Sequence, residues 1–354
     1  MLLSQFENRF PTEESCIEYF KDVRLKGLGV CPKCGNSEYY WLNGKLAIEC
    51  KSCHHRIPLT KGTVMEHSKL PMRTWLYTMH LMTSIKQVLS AKEVQHQLHM
   101  SEYPPVWLMM MKLRNIMGKR ESIYKLSGTV ELDEAFFPTR MYADEKAEPM
   151  KRGAGSQRHS KVLVIVESKA VDDILREYLE SKNVQKAMED VAKLAKRSKG
   201  QPVKKVVHYI KMLAIENLKA STIDDLLAQN VDAKAVILSD GSSSHVNLDK
   251  NFAGHIQIVE KGNVDEVVKK GLPWVHIVIG ECRNGIAAIH KEIDGKYLQL
   301  YLNEYCWKFN RRFFRDSTDP KYDLFDRLVR ISALYTSDLK WRDYATEMEE
   351  EEQF

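Results

Sequence analysis

Several short runs in the second half of the chain concentrate or alternate apolar residues as β-strands do. They are VELDEAFF, KVLVIVES, KKVVHYIKMLAIENL and AVILSDG, with HIQIVEKG as a fifth. In the first, Val130 and Leu132 fall on one strand face and Glu131 and Asp133 on the other. The run AVILSD ends a buried strand on Asp240. Two stretches, STIDDLLAQN and LQLYLNEYCWKFNRRFF, carry helical spacing instead; in the second, Leu298, Tyr301, Leu302, Tyr305 and Phe309 recur three and four residues apart. Strands and helices in this order predict an α/β layered domain from about residue 128.

The first half reads as helical around a cysteine-rich centre. FPTEESCIEYFKDVR predicts an amphipathic helix capped by Thr12 and closed by the turn GLG. Three more helices are predicted over Met72–Ser84, Ser90–His99 and Pro105–Arg120, the second opening on the capping box of Ser90 and Glu93 and the third with Pro105 in its first turn. The trio has the layout of a helix-turn-helix. Its last helix, VWLMMMKLRNIMGKR, sets Lys112, Arg114, Lys119 and Arg120 beside an apolar stripe. That suits a helix entering a DNA groove. It equally suits a core of Met109, Met110, Met111, Leu113 and Met117 with the cations as a solvated face.

Length and charge narrow the class. A chain of 354 residues has room for two or three domains. Its net charge of +5 and pI of 8.6 favour a polyanionic partner only mildly. No apolar run approaches the roughly 18 residues that span a bilayer, and MLLSQFENRF turns polar too early for a signal peptide. The expectation is a cytoplasmic protein with no membrane partner, whose seven cysteines are metal ligands or free thiols. Cys31-x-x-Cys34 and Cys50-x-x-Cys53, fifteen residues apart, have the double-knuckle spacing of a zinc ribbon holding one structural Zn²⁺. Redox pairs or unrelated buried thiols are the alternative, and His54 and His55 stand close enough in sequence to replace a cysteine.

Charge is also distributed locally. The loop PTRMYADEKAEPMKRGAGSQRHSK places Arg140, Lys146, Lys151, Arg152, Arg158 and Lys161 just after Asp133, as a basic lip that tracks a phosphate backbone would. Residues 171–201 form a charge-rich helical insertion with Ile174, Tyr178, Met188, Val191 and Leu194 as an apolar seam. The ending TEMEEEEQF is an acidic tail of disordered composition.

Four segments, VELDEAFF, ILSDG, LPWVHIVIGECR and YLQLYLNEYCWKFNRRF, resemble in order the signature segments of DDE transposases of bacterial insertion sequences, in the zinc-ribbon, ISXO-like group. The resemblance implies an RNase H-like catalytic core in which the first and fourth strands lie side by side. It places the metal-binding aspartates at Asp133 and Asp240 and the third ligand, Glu or Asn among relatives, at Glu281, with the basic Arg283 two positions on. It further implies Mg²⁺ (or Mn²⁺) as cofactor, cleavage at element ends followed by strand transfer, terminal inverted repeats and target DNA as partners, and a homo-oligomeric synaptic complex. Arg311 and Arg312 take a phosphate-binding role in it. The expected division is a helix and zinc ribbon over 1–66, a helix-turn-helix-like region over 67–127, the catalytic domain over 128–316 and a C-terminal extension over 317–354.

Without the family, the same residues leave other readings open. Asp240-Gly241 is a turn signal, Glu281 a helix-surface glutamate with Glu292 as its rival, and Asp133 has Glu131 and Glu134 as neighbours. A standalone RNase H-like nuclease and a non-catalytic DNA-binding regulator remain the alternatives to a transposase.

Overall fold

The computed structural model describes residues 1–141, 149, 156, 158–179, 205–258, 271–312 and 323–340. Two units make up the chain, one of Met1–Arg120 with Thr318–Phe354 and the other of Glu121–Ser317. No helix among the described residues is long and apolar enough to cross a membrane.

In the first unit, α1 (Leu3–Arg9) and α2 (Glu13–Leu28) precede the cysteines. The Thr12 hydroxyl oxygen accepts from Ser15 N at 3.3 Å and starts α2 as predicted. β1 (Tyr39–Leu42), β2 (Ala47–Cys50) and β3 (Arg56–Pro58) form an antiparallel sheet in that order. The helical trio follows as α3 (Met72–Ser84), α4 (Ala91–Gln97) and α5 (Tyr103–Glu121). Ser90 caps α4 by accepting from Glu93 N at 3.0 Å. A last helix, Leu324–Leu334, packs on α2 and α3, and its Phe325 joins Phe6 and Phe10 in a cluster of rings.

The second unit is built on a five-stranded sheet. β4 (Thr129–Pro138) pairs antiparallel with β5 (His159–Ala170) from Thr129↔Ser168 to Pro138↔His159, and parallel with β7 (Val236–Ser239) from Thr129↔Val236 to Leu132↔Ser239. β6 (Lys205–Ile215) adds antiparallel to β5, and β8 (Gly254–Gln257) adds parallel to β7. The order β6-β5-β4-β7-β8 is therefore third, second, first, fourth, fifth along the chain, the RNase H-like order with the first and fourth strands adjacent. Val162 to Val166 of β5 are buried on both faces, which explains why that strand reads as a continuous apolar run.

Helices cover both faces. Val130, Leu132, Leu163, Ile165 and Ile237 meet Ile223 and Leu227 of the helix Ala220–Asn230 and Leu248 of the short helix Leu248–Asn251. On the other face the helix Pro273–Ala287 packs on β4 and β5, and the helix Leu298–Asn310 on β6. Numbered after α6 (Val171–Leu179), these four are α7, α8, α9 and α10. Ile174 of α6 is buried, while the rest of the predicted seam lies outside the described residues, as does the acidic tail.

Candidate active site

The alternation of β4 turns Glu131 and Asp133 toward the face that α9 covers, and the two acids do different work. Glu131 is buried, and its Oε2 accepts from the backbone N–H groups of Trp274 and Val275, both at 2.9 Å. Those are orphan donors at the start of α9, so Glu131 acts as a capping carboxylate. Burial pushes its pKa up, against the two backbone hydrogen bonds.

Asp133 and Asp240 are each the next residue beyond Leu132↔Ser239, the last pair of the β4–β7 ladder. Asp133 Oδ1 accepts from Glu134 N at 2.8 Å. Burial above all, with the neighbouring charges of Asp240 and Glu134, pushes Asp133 up to about 7. Asp240 moves the opposite way. Contact with His245 first, then the backbone N–H of Ser242 at 3.0 Å on Oδ1, holds it below the usual carboxylate range. Burial, more than the neighbouring charge, therefore drives Asp133 toward neutrality while Asp240 stays ionised.

His245 ends a 3₁₀ turn, Ser243–His245, that follows Asp240. Its ring is fully buried, with Nδ1 3.1 Å from Asp240 Oδ1 and Nε2 3.1 Å from Glu134 Oε1. Neither contact has the in-line geometry of a hydrogen bond, so both are ion pairs. Burial opposes a charged imidazole, but the two carboxylates outweigh it and raise His245 to about 9. Glu134, Asp240 and His245 form one close cluster of donor atoms. Sequence reasoning missed His245; its only signal was a histidine five residues after the strand-ending acid.

On α9 the structure departs from expectation. The helix buries Val275, Val278, Ile279, Cys282 and Ile286. His276 and Arg283, seven residues and so nearly two turns apart, flank that face on one side. His276 Nδ1 is 3.5 Å from Asp133 Oδ2, and Arg283 stacks 5.5 Å over the Phe137 ring while its charge bears on Asp133. Glu281 is exposed, about 140° around the helix from His276 at roughly 100° per residue, and faces the flank where its charge helps burial raise the Tyr305 hydroxyl. The side chain that α9 brings to Asp133 is thus His276. Glu281, the position the family resemblance gave for the third ligand, lies out of phase with this stripe, whereas His276 and Arg283 share it at a seven-residue spacing. Glu292 lies beyond the C-terminal end of α9.

The four cysteines converge as the spacing predicted. Cys31 Sγ is 3.7 Å from Cys53 Sγ, and Cys34 Sγ is 3.5 Å from Cys50 Sγ. A tetrahedron with Zn–S of about 2.3 Å has edges of about 3.8 Å, so the set fits a structural Zn²⁺ and is far too open for disulfides. Both knuckles close alike, with Gly35 N on Cys31 O at 2.8 Å and His54 N on Cys50 O at 3.1 Å. Gly35 and His54 occupy the left-handed region at φ 76° and 54°, and His54 turns out to Glu49 rather than into the cluster.

The profile of the ISXO2-like transposase domain matches residues 125–310, over half of the chain, and that of the transposase zinc-ribbon domain matches residues 11–56. The chain belongs to the ISXO2-like transposase family. No curated protein matches it. Among solved structures, the transposase chain is similar to the Mos1 strand transfer complex at 12% identity, covering 76% of this chain and 77% of that one with a TM-score of 0.24. It is also similar to the Mos1 paired-end complex with left transposon end, at 14% identity, 76% and 82% coverage and the same TM-score of 0.24. Scores this low establish no shared architecture.

Three of the cations singled out for DNA are committed elsewhere in this transposase. Arg114 is buried and donates to Leu89 O at 3.0 Å, among methionines 109–111, Leu113 and Met117, which are all core. Arg311 is buried against Glu121, with N···O of 2.5 Å, and also donates to Trp307 O. Arg312 donates to the carbonyls of Phe309, His208 and Val207. These three brace the fold, because a guanidinium taken out of water must spend its donors on nearby acceptors. Lys112 is half-buried, and burial lowers its pKa. Arg158 and Arg140 are exposed at the base of the predicted lip; Lys146, Lys151 and Arg152 lie outside the described residues.

Proposed function

We propose that this protein is the transposase of a bacterial insertion sequence, which cleaves DNA at the element ends and joins the freed strands to target DNA using Mg²⁺ or Mn²⁺. The observation that carries the reading is the register of the two central parallel strands, which ends Leu132↔Ser239 and so delivers Asp133 and Asp240 together. The donor set fits the cofactor: two carboxylates supply hard oxygens just past the last pair of two adjacent parallel strands. Asp133 and Asp240, with His276 beside them, would hold the ions. When bound, such ions supply Lewis acidity toward a phosphate oxygen and lower the pKa of an attacking water or hydroxyl.

The remaining chemistry belongs to side chains of this chain. Arg283 carries positive charge toward Asp133 from the same stripe of α9 as His276, where it offsets charge on a scissile phosphate. Arg140 and Arg158 sit exposed beyond β4 and would follow the DNA backbone without reading bases. The zinc ribbon and helices α3–α5 would grip the element ends, with residues 1–127 serving recognition and 128–316 chemistry. Joining two ends in concert calls for a synaptic homo-oligomer.

The test is incubation of the full chain with duplexes carrying its own element ends, supercoiled plasmid and Mg²⁺. Joined products support the proposal. Cleavage without joining would instead identify an RNase H-like nuclease, and end binding without either product a DNA-binding regulator.

A further inference from the structure

The imidazole of His245 lies between two strands' worth of carboxylates and touches no other polar partner among the described residues. Asp240 stands just past the end of β7 on a half-exposed segment, where a carboxylate could turn freely. It is held instead on one oxygen. Oδ1 takes both the Nδ1 contact at 3.1 Å and the Ser242 N–H at 3.0 Å, while Oδ2 has no partner among the described residues. The other ring nitrogen is anchored to Glu134 Oε1, which also accepts from Ser244 Oγ at 2.8 Å. Glu134 belongs to β4, the strand that carries Asp133. One buried ring therefore ties the loop bearing one aspartate to the strand bearing the other.

We infer that His245 is a positioning residue, which clamps Asp240 by Oδ1 through Nδ1 and reserves Oδ2 for a divalent cation shared with Asp133. The inference rests on the proposed metal role of the two aspartates. Outer partners that orient a ligand in this way commonly govern metal affinity about 10- to 100-fold. A chelating role for the ring itself fits less well, because each of its nitrogens already meets a carboxylate, Asp240 at Nδ1 and Glu134 at Nε2.

The two nitrogens give a test that separates positioning from bulk packing. Asparagine places its amide nitrogen near the Nδ1 position and glutamine near the Nε2 position. Mn²⁺ binding is measured on the full zinc-loaded chain from the free-ion EPR signal, with melting curves to confirm folding. The unchanged protein should bind Mn²⁺ in a manner lost in Asp133→Asn. His245→Ala should weaken binding roughly tenfold or more. His245→Asn, whose amide can donate to Oδ1 without the ring's charge, should recover part of it, and His245→Gln should not. Affinity unchanged in folded His245→Ala, or equal affinities for the Asn and Gln variants should the Ala variant fail to fold, overturns the inference. Absence of Mn²⁺ binding by the unchanged protein would instead sink the metal role of the aspartates and the inference with it.

Discussion

The Nδ1 atom of His276 lies 3.5 Å from Oδ2 of Asp133, on the helix stripe that also carries Arg283. An exposed Glu281 sits on the opposite flank of that helix. His276→Ala should therefore reduce end cleavage by roughly 10- to 100-fold, the range for losing a group that orders a metal site. Glu281→Ala should cleave at nearly the normal rate. The assignment is reversed if cleavage assays on both folded proteins show the glutamate variant inactive and the histidine variant normal.

Asp133→Asn and Asp240→Asn each remove a charged oxygen donor from the proposed centre. Both should abolish cleavage and joining while leaving affinity for element ends within about twofold, since the proposed end-binding residues lie within 1–127. Gel-shift and cleavage assays on the same preparations check this. Parallel loss of binding and cleavage would argue that the aspartates hold the fold.

Arg311, Glu121 and Asn310 form a buried knot, with Asn310 Nδ2 2.6 Å from Glu121 Oε2 and its Oδ1 accepting from Ile210 N at 2.8 Å. Arg311→Ala leaves Glu121 charged and buried without its counter-ion, held only by the Asn310 amide, which costs about 3–5 kcal/mol for a pair of this kind. Urea denaturation should show that loss. A variant as stable as the parent but weak for DNA would restore a phosphate-binding role.

Burial against Phe6, with the nearby N-terminal charge, pushes His80 down to about 4. A folded pKa below the unfolded value of about 6.5 means that the unfolded chain binds the extra proton first. The stability contribution is complete above pH 6.5 and is lost as pH falls toward 4. His80→Phe keeps a ring on Phe6 and cannot titrate, so its melting temperature should fall less between pH 7 and 5 than that of the parent. Parallel pH profiles for the two proteins would remove His80 from the account.

Removing zinc should unfold the ribbon, since β1–β3 are strands of three or four residues with little core of their own. Metal analysis should return one zinc per chain, and Cys34→Ser or Cys50→Ser should lose both the zinc and end binding. Zinc-free protein with an unchanged fold and end affinity would refute the structural role.

The sequence alone determined what depends on neighbours along the chain. Two Cys-x-x-Cys knuckles, the alternation at Val130 to Asp133, the buried run ending at Asp240 and the helix stripes were all legible because each periodicity reports its own element. The family segments placed Asp133 in a strand and Asp240 just past its neighbour, each one residue beyond the last pair of the ladder. Only the tertiary structure decided which element faces which. Glu131 and Asp133 share a strand face, yet the start of α9 claims one carboxylate as a cap and leaves the other open. His276 meets Asp133 and Glu281 turns to the opposite flank because the buried stripe of α9 sets its rotation. Arg114, Arg311 and Arg312 looked like DNA contacts until their carbonyl and carboxylate acceptors, up to 190 residues away in sequence, appeared around them. Residue type states what a side chain can bind; folding chooses the partner, because burial makes an unsatisfied charge too costly to leave alone.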